Sequence, residues 1–208
     1  MCDLGVIVPK NQRKIIQQIE KLGVFSRKEA EQLGFEWGKL KCLVKNGLVE
    51  RVDTGIYWMK SSNLPAEHVD FIAGCLRFGP DAVIGGHTAL FHYGLIREIP
   101  DRIWIFVPHA HATRSPHSYR IIRTNYELHT GVEVHSRFKI TSIEKTLLDG
   151  LRYQSKIGLS LVYEAFYVAM RESVTTMQKI GALAEKLGWQ SLLVKHWEAL
   201  SMEIDNLR

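Results

Sequence analysis

Between Phe35 and Met59 the chain reads FEWGKLKCLVKNGLVERVDTGIYWM, and this stretch leaves few options for what surrounds it. Wound as a helix, residues 36–46 gather Trp37, Leu40, Leu43 and Val44 on one face. Gly38, Lys39, Lys41, Cys42, Lys45 and Asn46 fall on the other. Gly47 ends the helix where a left-handed residue costs least. Two strand-like runs follow, 48–52 and 56–59, joined by Asp53-Thr54-Gly55, which is a hairpin turn signal. A helix with an apolar back and a basic front, followed directly by a hairpin, is how a winged helix-turn-helix meets DNA.

The upstream residues complete such a unit. Ile15, Ile16, Ile19 and Leu22 form one stripe of a helix over 10–22, with Pro9 before it and Gly23 after it. Ser26 with Glu29 three residues on is a capping box, so a second helix runs from there to Leu33 and stops at Gly34. Three helices and a hairpin within residues 1–60 predict a winged-helix domain. Charge agrees. Residues 1–60 hold 11 Lys and Arg against 7 Asp and Glu, whereas the remainder hold 16 against 15. The basic excess points to a polyanion for the first part and a different task for the rest. The candidate DNA-binding residues are Lys39, Lys41 and Lys45 on the third helix, Arg27 and Lys28 on the second, and Arg51 and Thr54 on the wing. Phosphate contacts by these lysines and arginines would make binding salt-sensitive. Trp37 and Tyr57 are read as core, because Trp37 lies on the apolar stripe. The same lysines would also suit a solvated face on a winged helix that contacts protein.

Ser61-Ser62-Asn63-Leu64-Pro65 reads as a linker into a second domain, 64–208. Helices are expected over 66–78 and 88–93, and strands over 82–84, 102–107, 119–123 and 132–135. Thr141 or Ser142 caps a further helix carrying Ile143, Thr146, Leu147, Leu148 and Leu151. From Leu159 the pattern is helical: 159–171, 175–187 and 190–200. The expected class is therefore α+β: a winged helix, then an α+β domain with a short mixed sheet and a helical C-terminal part. Tyr163, Phe166, Tyr167 and Met170 recur at helical spacing, as core or as a partner groove.

Other chemistries find little support. Cys2, Cys42 and Cys75 are odd in number and form no C-x-x-C pair, which fits a reducing compartment rather than a disulfide framework or zinc ribbon. The N-terminal MCDLGVIVPK lacks the features of a secretory signal, and no apolar run has the length of a membrane span. A cytoplasmic protein is expected. His109, His111 and His117 sit close together in HAHATRSPH, but no Cys accompanies them and Asp101 is the nearest acid, so no metal site is expected. With Arg114, that loop instead suits nucleic acid or an acidic partner. A metal-dependent nuclease would need acids and a lysine converging on an ion. Asp101, Glu133, Glu144 and Lys145 are available, yet no acid is followed two residues later by Lys on a strand, and Asp149 reads equally well as a helix-end hydrogen-bonding residue. There is no G-x-S-x-G elbow, and Cys42 and Cys75 lie in apolar helical settings. No catalysis and no cofactor are expected.

The order of five markers resembles a known family. VFSRKEAEQLGFEWGKLKCLVKNGLVERVDTGIYWM is similar to the N-terminal winged helix of the AbiEi antitoxins, the regulatory half of abortive-infection toxin–antitoxin pairs. AVIGGHTALFHYGL, RIWIFVP, GVEVHS and ITSIEKTLLDGL then follow in the family's order, so that the resemblance covers about residues 20–152. Two positions depart: Gly86 precedes His87 where many relatives carry Ser, and Lys145 stands where relatives often carry Arg. The resemblance implies a winged helix that binds inverted repeats in double-stranded DNA at its own promoter; two copies there would supply the contacts that one small module lacks. It also implies a second domain that counters a nucleotidyltransferase-type toxin, by contact or by function.

Overall fold

The stripe of Ile15, Ile16, Ile19 and Leu22 becomes the inner face of α1 (Lys10–Leu22), with Ile19 fully buried. The computed structural model describes residues 10–110 and 116–205. After α1 come β1 (Val24–Ser26), α2 (Arg27–Gln32), α3 (Trp37–Lys45), β2 (Val49–Asp53) and β3 (Ile56–Met59). Both halves of the capping box form: the Ser26 amide donates to Glu29 Oε2 at 2.7 Å, and the Glu29 amide donates to Ser26 Oγ at 3.1 Å. β1 is not among the expected strands. It pairs antiparallel with β3, Phe25 opposite Tyr57, and places the hairpin's second strand in the centre of a three-stranded sheet, β1-β3-β2. Phe25, Ala30, Phe35, Leu40, Leu43, Val49, Tyr57 and Met59 close with Ile19 into one core. This is a winged helix-turn-helix.

The helix that follows the Ser61–Pro65 segment, α4 (Ala66–Phe78), packs across β1, β2 and β3. By packing, the first compact unit therefore runs to Pro80 rather than stopping at 60, and the second runs from Asp81.

The second unit is α+β. It comprises β4 (Val83–Ile84), α5 (Gly86–His92), β5 (Ile103–Pro108), β6 (Tyr119–Thr124), β7 (Val132–Val134) and β8 (Lys139–Thr141). Five helices follow: α6 (Ile143–Arg152), α7 (Gln154–Ile157), α8 (Leu159–Arg171), α9 (Met177–Leu187) and α10 (Gln190–Asp205). The sheet is mixed, in the order β6-β5-β4-β8-β7. β5 runs parallel to β6 and antiparallel to β4, which pairs in parallel with β8 through Ile84 and Ile140. Trp104, Ile105, Phe106 and Val107 of β5 are all fully buried, as a strand covered on both faces must be. β8 and α7 are likewise outside the expected set: three and four residues are too few to carry a readable period.

Gly85 and Gly86 form the corner from β4 into α5. A Cβ on Gly85 would lie 2.2 Å from Phe106 Cε2, and one on Gly86 2.6 Å from Trp104 Cε3, where φ is also +55°. The backbone presses directly on the β5 aromatics, which accounts for a glycine at 86. α6 is central to the helical part, packing against α5, α8, α9 and α10, and every residue from Lys145 to Leu151 is buried. Phe166 of α8 is fully buried and Tyr163 and Met170 pack on the same core, whereas Tyr167 is only half-buried, beside Arg171 at 5.5 Å.

Candidate nucleic-acid interface

α2 and α3 meet at a tight turn in which the Phe35 amide donates to the Ala30 carbonyl at 2.8 Å. The Arg27 amide donates to the Gly55 carbonyl at 2.8 Å, which ties the wing's turn to the first turn of α2. One surface thus presents α2, α3 and the wing. With Leu40 and Leu43 buried inward, α3 turns Gly38, Lys41 and Lys45 outward, all exposed. On the wing Arg51 and Thr54 are exposed, and Arg51 Nε donates to the Asp53 carbonyl at 3.3 Å across an irregularity in the β2–β3 register.

The five expected cations on α2 and α3 fall into two groups. Arg27 Nε lies 2.7 Å from Glu31 Oε1, and Lys39 Nζ lies 3.1 Å from Glu36 Oε1. Such exposed pairs are worth about 0–1 kcal/mol, so a phosphate competes readily for either cation. Lys28, Lys41 and Lys45 make no ion pair among the described residues. Lys41 and Lys45 lie on the outward face of α3, and Lys28 on the first turn of α2.

Trp37 has a part that its place on the apolar stripe did not reveal. It is only half-buried; its ring meets Tyr57 edge-on at 6.1 Å. The Arg27 guanidinium lies 4.4 Å from the ring centre and the Lys41 ammonium 5.4 Å from it. Trp37 therefore holds two of the outward cations as well as packing on the core. No spacing rule links Arg27 to Trp37; the α2–α3 turn brings them together.

The described residues weighed for metal or nuclease chemistry have the following settings. Asp101 is exposed beside Arg102, at 3.5 Å. Glu133 lies on the edge strand β7. Glu144, in the first turn of α6, accepts from Thr175 Oγ1 at 2.6 Å. Lys145 is fully buried, its Nζ 4.8 Å from the centre of the Tyr126 ring and 5.1 Å from that of Trp189. Asp149, one turn further along, is also fully buried and accepts from Tyr126 Oη at 3.3 Å. Among the described residues no three His, Cys, Asp or Glu side chains are grouped to hold a metal ion. His111 and Arg114 lie outside the described residues, so the His109–His111–His117 grouping is not defined by the structure.

Among the described residues, Lys145 Nζ and Asp149 Oδ2 have no hydrogen-bond partner. Burial pushes the Asp149 carboxyl up to about 7, against the lowering effect of Lys145. Burial likewise pulls the Lys145 ammonium below its ordinary value, with Asp149 opposing.

No described helix is long and apolar enough to cross a membrane. No family model matches the sequence, and no curated protein matches it. Among solved structures the chain is similar in fold to the RV2827C protein from Mycobacterium tuberculosis. The TM-score is 0.60 at 12% identity, covering 97% of this chain and 78% of that one.

Proposed function

We propose that this protein is a DNA-binding transcriptional autoregulator, and that it resembles the AbiEi antitoxins in function as well as in sequence order. The observation that carries the reading is the outward face of α3, where Lys41 and Lys45 make no ion pair among the described residues and stand beside a wing that offers Arg51 and Thr54. In this reading α3 enters the major groove while α2 and the wing contact backbone, and two copies occupy an inverted repeat. A single small module of this kind binds weakly, and pairing supplies the remaining affinity. The unit from Asp81 onward would act against a nucleotidyltransferase-type toxin, a role that rests on the resemblance alone. No catalysis is assigned to it. Three scattered cysteines without a C-x-x-C pair support a cytoplasmic setting.

The test is a gel-shift titration against the DNA upstream of its own gene at two salt concentrations. Wild type should bind specifically and weaken as salt rises. Lys41→Ala/Lys45→Ala should bind less tightly, with a salt slope lower by about two, at an unchanged melting temperature. Equal binding of upstream and random DNA by the wild type would refute the regulator and favour a winged helix that contacts protein.

A further inference from the structure

Gly38 is the second residue of α3, and the fold makes no use of it. It is not among the glycines with positive φ, so no left-handed backbone requires it. A Cβ built on it would meet none of the described residues within 4 Å, so no close packing requires it either. It is exposed in the first turn of a helix, where glycine is less favourable than alanine. Among the described residues this cost has no return.

Its position suggests where the return lies. Counting along α3, Gly38, Lys41 and Lys45 stand at i, i+3 and i+7, on the single outward stripe of the helix. Lys41 is held at one side of that stripe by the Trp37 ring. One turn before Lys41 the helix surface drops to bare backbone, which lies about 2.3 Å from the axis against a side-chain envelope of about 5–6 Å. The major groove of B-form DNA is about 12 Å wide, hardly more than a helix with its side chains. A bare position on the outward stripe lets the first turn of α3 sit deeper among the base edges. In A-form RNA the corresponding groove is too deep and narrow for such an approach.

We infer that Gly38 is the point of closest approach between α3 and its ligand, and that the ligand is a B-form DNA duplex read at its base edges. The inference rests on the proposed DNA-binding role and specifies its geometry. Any side chain at position 38 acts as a spacer. It stabilises the helix while it holds Lys41 and Lys45 away from the groove.

The experiment uses the full chain and a duplex selected from a randomised DNA library, with a scrambled duplex and the RNA duplex of the same sequence as probes. Wild type, Gly38→Ala, Gly38→Leu and Lys41→Ala/Lys45→Ala are titrated by fluorescence anisotropy, and each is melted. Gly38→Ala and Gly38→Leu should melt a few degrees higher than wild type. Gly38→Leu should lose about tenfold or more in affinity for the selected duplex, the worth of a base contact. Its affinity for the scrambled duplex should match wild type. If Gly38→Leu binds the selected duplex as tightly as wild type while the double lysine variant weakens, the closest approach lies elsewhere and DNA binding stands. If RNA and DNA duplexes bind equally, groove insertion is refuted. If no duplex is selected and the lysines make no difference, the DNA-binding reading falls as well.

Discussion

Replacing Lys145 by methionine should stabilise the second unit in mild acid and lose that advantage in mild base. Lys145 is 0% exposed and its ammonium has no hydrogen-bond acceptor among the described residues. Desolvating such an ion costs several kcal/mol. The compensation is the two rings at 4.8 and 5.1 Å, about 1–2 kcal/mol each when desolvated, and the nearby Asp149. Methionine keeps the length of the chain, removes the charge and makes its own contact with the rings. Asp149 sets the pH dependence. Its folded pKa of about 7 lies above the unfolded value of 3.8, so its contribution is full below the unfolded value and is lost as pH rises toward the folded one. Between pH 5.5 and 7 wild type should lose about 2 kcal/mol, at about 1.4 kcal/mol per pH unit. Near pH 7 that loss should stop. Removing Lys145 takes away the charge that lowers Asp149, so in Lys145→Met the loss should continue to pH 8.5, by about a further 2 kcal/mol. At pH 5.5 the variant should be about 1–2 kcal/mol more stable than wild type, as expected for a buried ion removed without leaving a cavity. Lys145→Met/Asp149→Asn should be flat across this range and at least as stable as wild type at both ends. Urea unfolding at pH 5.5 and 8.5 reads the result, with circular dichroism and tryptophan fluorescence followed separately because the chain has two units. A loss of about 3 kcal/mol or more in Lys145→Met at pH 5.5, not relieved in the double variant, would mean that the buried charge stabilises the fold and would refute the argument.

Other expectations follow from single contacts. Trp37→Leu removes the ring that holds Arg27 and Lys41, so DNA affinity should fall several-fold, each such contact being worth about 0.5–1 kcal/mol. The salt slope should stay as in wild type, because no charge is removed, and Trp37→Phe should restore most of the affinity. A slope that falls by one or more would refute the holding role. Gly85→Ala drives a methyl to within 2.2 Å of the buried Phe106 ring, so it should destabilise the second unit by about 1–3 kcal/mol in urea unfolding. An unchanged midpoint would mean that the β4–α5 corner yields freely.

Much of the first unit is legible in the amino-acid sequence, because its signals are local. The Ser26–Glu29 capping box, the glycines that close the helices and the alternating faces of α1 and α3 act over three or four residues. The apolar run at 103–107 and the amphipathic helices of the C-terminal part are legible for the same reason. The α+β class follows from their order. β1 and β8 are not legible. Val24–Ser26 becomes a strand only because Tyr57 and its neighbours arrive beside it, and Lys139–Thr141 only because Ile84 offers an edge far back in the chain. Three residues carry no period, and strand pairing is settled by partners the local sequence does not contain.

The candidate site divides in the same way. The sequence by itself determined that α3 has a basic outward stripe, since helical periodicity alone separates Lys41 and Lys45 from Leu40 and Leu43. The pairs Arg27–Glu31, Glu36–Lys39 and Trp37–Lys41 lie at helical spacing and are local in the same sense. Only the tertiary structure decided that Trp37 also holds Arg27 of α2, and that Gly38 lies open. It also decided that α4 belongs with the winged helix and that Lys145 and Asp149 are sealed inside α6's surroundings. The physical reason is common to all of them. Periodicity states which face of an element is apolar, whereas what that face packs against, and which polar groups are sealed in with it, depends on elements distant in sequence.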